Sequence, residues 1–284
     1  MFALMKISLT KKGCKDMTLV VTNELAKVLE AAEINTLHSR LNAIQNIHSN
    51  PMGIEVKTFG NATAFSTRNI PGPSFNTVKG ITDEDQNEVE NIINYYKQKD
   101  IPVRLEITPA HVSSKFLTYL ANIGFYQTDF HSTLFADLQS INDHAYSEIW
   151  IRELEKDEFH LFAEIYANGF QLPAFVQDGI AQNNQVLHNR DGWTFYLASF
   201  SDQPAGVGVI FIQDSIATLA AAATEPSFRN NGIHQALISS RIQLAKALDC
   251  TMIVGQARFG SISQNNMERA GMKIAYTKTI WVQK

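Results

Sequence analysis

Cysteine is scarce in this chain: Cys14 and Cys250 are the two present in 284 residues. They stand far apart and in no metal-ligand spacing, which excludes a disulfide framework and a thiolate metal site and points to reduced thiols. No apolar run reaches the roughly 18 residues that a membrane span needs. Lys11, Lys12 and Lys15 interrupt what would have to be the core of a signal peptide. An excess of one charge is missing too, since 24 Lys and Arg stand against 28 Asp and Glu for a net −4. That balance gives nucleic acid and anionic membranes nothing to bind. The expectation is a cytoplasmic protein with no metal, no nucleic acid and no membrane partner.

What the chain does have is an ordinary globular composition, 45% hydrophobic and 18% charged. Its length allows two domains. Residues up to Asp16 read as an extension. From Thr22 to Ile47 apolar residues recur at helical spacing, and Ile54–Phe59 and Ala62–Ser66 read as strands. A helix is expected from Asp83 to Lys99, with acidic residues in its first turn where the helix dipole favours them. Val103–Ile107 alternates as a strand, Ser113–Ile123 reads as a short helix, and Thr133–Phe135 closes a strand. Gln139–His144 is polar and unpatterned and reads as a linker.

The second half repeats that order. Strands are expected near Ile149 and over Trp193–Phe200, Ala205–Gln213, Ser215–Ala223, Met252–Gln256 and Ala275–Val282. Helices are expected over Asp157–Ala167, Ile233–Leu248 and Ser263–Ala270. Leu120–Phe125 parallels Met267–Met272: each is a helix end stopped by glycine at a left-handed position and followed by an apolar residue. The fold class is therefore α/β with a mixed sheet, in two related domains, residues 17–140 and 146–284.

Chemistry concentrates in the run from Ala220 to His234. A small-residue strand meets Pro226, which has no N–H to give to a sheet. Arg229, Asn230, Asn231 and Gly232 then form an Arg-x-x-Gly turn that opens a helix. Such a turn aims backbone N–H groups and the positive end of a helix dipole at one spot, an anion site that most often takes phosphate. Gly232 supplies either a positive φ or a close approach of backbone.

This segment resembles the acetyl-CoA-binding core of the GNAT family of N-acetyltransferases, whose signature is Arg/Gln-x-x-Gly-x-Gly/Ala. The departure is His234, where Gly or Ala is usual; its side chain either points away from the phosphates or donates a hydrogen bond to them. The resemblance implies two GNAT-like acyl-CoA N-acyltransferase domains in tandem, with acetyl-CoA as cosubstrate and no metal. It assigns the cosubstrate to Ala222, Ala223, Thr224, Arg229, Asn230, Asn231, Gly232, Ile233 and His234. Asn266 is similar to the asparagine that holds the pantetheine arm. Ser263 reads as a helix cap, and Glu268 and Arg269 as solvated charges. The pattern Ser-x-x-Asn-x-x-Arg-x-Gly followed by Ala-Tyr-Thr implies Tyr276 as the general acid that protonates the departing thiolate.

No carboxylate stands on the strand Leu219–Ala223, so the general base stays open: the amine loses its proton through ordered water or to a residue from elsewhere, such as Glu164 or Asp178. The first half carries three acidic residues where a phosphate turn would be, Asp83, Glu84 and Asp85, and resembles a degenerate GNAT-like domain. The implied reaction moves acetyl from acetyl-CoA to a primary amine of a small molecule or peptide. A non-catalytic acyl-CoA-binding or regulatory protein and a structural module are the alternatives. Trp193, Phe170, Phe175 and the stretch Gln182–Asn189 read as acceptor-site lining or as core and loop.

Overall fold

The computed structural model describes residues 20–70, 72–142, 146 and 148–283. Cys14, the extension to Asp16 and most of the expected linker's end, Asp143 and His144, lie outside the described residues. Helix α1 (Asn23–Gln45) is capped by Thr22, whose side chain accepts from the Leu25 N–H. It buries Leu29, Leu41 and Ile44. Strands β1 (Ile54–Phe59) and β2 (Ala62–Thr67) form a hairpin, and β3 (Thr77–Lys79) extends it. Next come α2 (Val89–Lys97), β4 (Arg104–Ile107), α3 (Ser114–Asn122) and β5 (Phe125–Asp137). The second half supplies β6 (Ile149–Glu153), α4 (Phe159–Phe170), α5 (Gln177–Gln185), β7 (Trp193–Phe200), β8 (Gln203–Gln213) and β9 (Ile216–Thr224). It ends with α6 (Ile233–Ala247), β10 (Met252–Arg258), α7 (Ile262–Arg269) and β11 (Lys273–Gln283).

The described strands make one mixed, eleven-stranded sheet in the order β1-β2-β3-β4-β11-β5-β10-β9-β8-β7-β6. The mixed α/β fold expected from the sequence is present. Its centre is an exchange: β11, from the end of the second half, lies between β4 and β5 of the first. In turn β5 lies between β11 and β10, with Val254 opposite Phe135 and Ile280 opposite Glu106. The sequence gives no sign of this, because it reads β5 as the short close at Thr133–Phe135 rather than a 13-residue strand.

Alternation along the strands sets the two faces. Trp193, Phe195 and Leu197 pack under α4 with Phe159 and Phe162, whereas Tyr196 and Ala198 face α6 with Leu237 and Ile238. Gly124 and Gly271 both take φ of 92°, so the paired helix stops have the left-handed geometry expected of them. Three details differ from the sequence reading. The expected helix Asp83–Lys99 begins as a 3-10 turn over Asp83–Glu88. Much of the Asn/Gln-rich stretch is helical, as α5. The cap of α7 is Ser261, not Ser263, because Ser261 has extended backbone and accepts from the Gln264 N–H.

Candidate functional site

The site begins where β9 and β10 part. They pair in parallel from Ile216 and Met252 to Leu219 and Gly255, and there the ladder stops. The cause lies on the other edge of β9. Val209 of β8 faces Ala221 while Ile210 faces Leu219, so Ala220 is an extra residue on β9. A bulge of this kind bends its strand away from its neighbour. At the fork, Gly255 makes room for α7: a Cβ there would stand 2.6 Å from the Met267 sulfur.

Beyond the fork the chain makes the turn into α6. Asn230 and Gly232 both have positive φ, 69° and 81°. At Gly232 the nearest atom to an added Cβ is 3.7 Å away, so conformation rather than crowding requires glycine. Among the described residues no protein acceptor meets the backbone N–H groups of Asn230 through Gln235. These donors and the start of a 15-residue helix form an anion cradle.

A cavity of about 1260 Å³ runs from this turn along the fork to α1 and α5. It brings together Ala222, Ala223, Thr224, Arg229, Asn230, Gly232, Ile233, His234 and Asn266 of the expected cosubstrate residues. Asn231 is the exception. It is exposed, and its side chain folds back to donate to the Phe228 and Arg229 carbonyls. Arg229 reaches across to the Gly169 carbonyl at 2.7 Å and so ties the turn to α4.

His234 does not point outward. Its Nδ1 lies 3.0 Å from the Asn266 side-chain nitrogen, which donates to it and leaves Nε2 as the ring donor. Burial, helped by the Arg241 charge, drops the His234 pKa to about 4, so the ring is neutral. The Asn266 oxygen accepts from Arg269, which lines the cavity while staying exposed, as expected of a solvated helix-face charge. Behind the bulge Arg241 is fully buried. It donates to the carbonyls of Leu237, Val209 and Ala221, and so holds the distorted strand from below.

Tyr276 is not part of the cavity wall. It is buried under α1 with Ala26, Leu29, Phe135 and Val254. Its hydroxyl is buried on the Thr133 side of β11, and burial pushes the phenol well above its ordinary pKa. It stands across β11 and β5 from Thr133, which in turn stands across from Gln256 at the fork. Thr133 Oγ1 and Gln256 Nε2 are also buried, and Gln256 Nε2 has no partner. Among the described residues the tyrosine that does line the cavity is Tyr166 of α4, a helix that packs on β9. Helical spacing gave no reason to single it out.

Glu164 and Asp178 are exposed and do not line the cavity. The carboxylates that do are Glu33 and Glu106, both from the first half. Glu33 lies 2.6 Å from Lys278 and 2.7 Å from Lys79. Glu106 lies 2.8 Å from Lys278 and also pairs with Lys79 and Arg104. Burial alone would raise both carboxyl pKa values, but the lysines outweigh it and hold both below the ordinary range. His131 of β5 also lines the cavity, and burial lowers its pKa, so its imidazole is neutral at pH 7. Phe170, Asn183 and Asn184 line it, Trp193 is buried beside it, and Phe175 is exposed elsewhere. Among the described residues no group of three His, Cys, Asp or Glu could hold a metal ion, and no helix is long and apolar enough to cross a membrane.

The sequence matches the model of the acetyltransferase (GNAT) family over residues 136–269. No curated protein matches it. Among solved structures it is similar to a GCN5-related N-acetyltransferase from Kribbella flavida, with a TM-score of 0.61 and 11% identity over 94% of this chain and 96% of that one. It is also similar to a GCN5-related N-acetyltransferase from Sphaerobacter thermophilus, with a TM-score of 0.59 and 10% identity over 91% of each chain. A tandem GNAT protein from the clavulanic acid biosynthesis pathway aligns with a TM-score of 0.62 and 10% identity, over 92% of this chain and 93% of that one. At these identities the likeness is one of fold.

Proposed function

Because residues 136–269 form a GNAT-family acetyltransferase domain, we propose that this chain transfers acetyl from acetyl-CoA to a primary amine. The observation that carries this reading is the set of unmet N–H groups from Asn230 to Gln235 at one end of a cavity that continues along the β9–β10 fork. Those amides, with the N-terminus of α6, would hold the pyrophosphate. The unpaired backbone edges of Ala220–Thr224 and Gln256–Arg258 would hold the pantetheine arm. When bound, acetyl-CoA supplies an activated acyl thioester; alignment of that group with the amine provides most of the acceleration in such direct transfer.

In the transfer a C–N bond forms, the C–S bond breaks, one amine proton leaves to a base and the thiolate takes a proton. His131, neutral and in the cavity wall, is the base in this reading. The Glu33 and Glu106 carboxylates serve that role poorly, since their lysine partners make them weak bases. Tyr166 is the proton donor in this reading because it lines the same cavity as the bulge, on a helix that packs on β9. Tyr276, the donor expected from the sequence, acts only if Thr133 and Gln256 relay its proton. Among the described residues the carboxylates of the cavity wall are both ion-paired, which favours one other reading, an acyl-CoA-binding protein without turnover.

The test is thermal unfolding with and without acetyl-CoA for the wild type and Gly232→Glu. Ligand at about 100 times its dissociation constant stabilises by about 2.7 kcal/mol. The expected result is a shift in wild type that is absent in the variant, followed by CoA release with an amine panel. A shift without CoA release leaves the binding-protein reading, and no shift in either removes both.

A further inference from the structure

The wall of the cavity opposite the phosphate turn contains a cation with no counter-charge. Arg40, on the second half of α1, lines the cavity there. Its Nη1 donates to Asn184 Oδ1 at 2.7 Å. Its guanidinium carbon lies 4.8 Å from the centre of the Trp193 ring. Its Nη2 is buried and meets no acceptor. Among the described residues no carboxylate acts on it, and Tyr166 is the nearby titratable group.

Arg229 and Arg269 of the same wall also lack a carboxylate, but both are exposed to water; the remaining cations are paired or bonded. Lys79 and Arg104 have Glu106 within ion-pair distance, and Arg258 has Asp129. Arg241 lacks a carboxylate but donates to three backbone carbonyls. Arg40 has one neutral amide and one aromatic face. Removing a guanidinium from water without a compensating charge is unfavourable, and stacking on an indole recovers only part of the loss. Burial accordingly brings its pKa down to about 10, which still leaves it a cation at neutral pH. Asn183, next in the chain to Asn184 and also in the wall, has a buried Oδ1 with no partner. An unmet donor, Arg40 Nη2, and an unmet acceptor, Asn183 Oδ1, thus belong to the wall of one cavity.

We propose that this end, formed by Arg40, Asn183 and Asn184 over Trp193, is an anion subsite, and that the acceptor is a small amine that also carries a carboxylate, an amino acid in class. The guanidinium fork matches the two oxygens of a carboxylate, and Asn183 Oδ1 accepts an N–H from the same ligand. Tyr166 lies close enough to Arg40 for each to perturb the other's titration. Helices α1 and α4 both pack on β9, so the subsite shares its cavity with the fork, and a short spacing between carboxylate and amine directs the amine toward Ala220 and Ala221. The substrate class rests on the acetyl-transfer reading above; the anion subsite itself does not.

The test compares leucine, glutamate and lysine with their carboxamides. Thermal shift is measured with each alone and with CoA, and CoA release is measured with acetyl-CoA. In the wild type at least one acid is expected to bind or react about tenfold better than its amide, a margin of one order of magnitude, or about 1.4 kcal/mol. Arg40→Met is expected to abolish that preference while leaving the acetyl-CoA dissociation constant unchanged, and Arg40→Lys to restore part of it. Equal behaviour of acids and amides in the wild type overturns the proposal without any variant, as does a preference that survives in Arg40→Met. A tenfold loss of acetyl-CoA affinity in Arg40→Met also overturns it, because Arg40 would then serve the cosubstrate. If acetyl-CoA fails to bind but an acid stabilises the wild type and not Arg40→Met, the transfer reading falls and the anion subsite stands.

Discussion

The two halves of this molecule both run from a strand through a turn into a helix, and the two turns have opposite contents. In the second half the N–H groups from Asn230 to Gln235 face no protein acceptor. In the first half the corresponding donors are filled from within. Gly80 N–H donates to Glu30, and Thr82 N–H donates to Asp85 at 2.8 Å. Asp85 also takes the Asn61 N–H at 2.8 Å and is buried. A carboxylate of the chain thus occupies the place where a ligand anion would sit. The degenerate character proposed for the first half then has a simple physical form: its cradle is stuffed rather than missing. The lesson is that sequence similarity of turns says less than the state of their donors.

The comparison breaks most severely at the joint between the halves. Lys278→Met removes the cation that β11 brings to Glu33 and Glu106, and leaves those carboxylates short of charge in a buried place. The expected cost is about 3–5 kcal/mol, read as a lowered midpoint in urea. The pH dependence has a definite sign. Both carboxyls titrate lower folded than unfolded, so their stabilisation is complete above the ordinary carboxylate range and fades as pH falls through the folded values. The wild type should lose that advantage on acidification, and Lys278→Met should show a flatter profile. Equal slopes would remove the lysine from the account.

A second test sharpens the contrast between a working wall and a structural one. Tyr166→Phe should lower kcat by about 100-fold, the lower end for loss of a general acid. Tyr276→Phe should leave kcat within about threefold, as for a phenol that never meets the reacting atoms. The reverse pattern would restore Tyr276 and make Thr133 and Gln256 its relay. The smallest effect belongs to the stuffed turn. Asp85→Ala removes the capping box formed with Thr82 and should cost about 1 kcal/mol. It should not create a second acetyl-CoA site, because Glu30 still occupies the Gly80 amide. Two equivalents bound in calorimetry would contradict that.

Much of this was legible in the sequence. Ile54–Phe59 and Trp193–Phe200 are the strands expected, because alternation and turn residues bound them on both sides. The Arg229–His234 turn was legible because glycine and proline fix backbone in ways that other residues do not. Long-range geometry was not. Nothing local marks β5 as a strand that crosses into the other half, and so nothing marked Thr133 and Tyr276 as neighbours. Tyr276 matched a pattern of letters but is covered by α1, an element some 250 residues earlier in the chain. Arg40 carries no local signal at all, because its lack of a partner is visible only once α1, α5 and β7 are packed together.

The strand exchange has a consequence for how the chain reaches this state. Strand β4, at Arg104–Ile107, pairs with Val282 to Thr279 on β11 and meets β3 through a single register pair. The first half therefore holds an incomplete sheet until the last strand of the second half arrives. On a ribosome that interval is the time taken to make some 170 residues, roughly 10–30 s at about 5–20 residues per second. Throughout it, Glu33 and Glu106 await Lys278, and an apolar strand edge stays open to other chains. Folding is thus expected to be slow, dominated by non-local pairing, and sensitive to chaperone supply in a way that neither half's own stability would foretell.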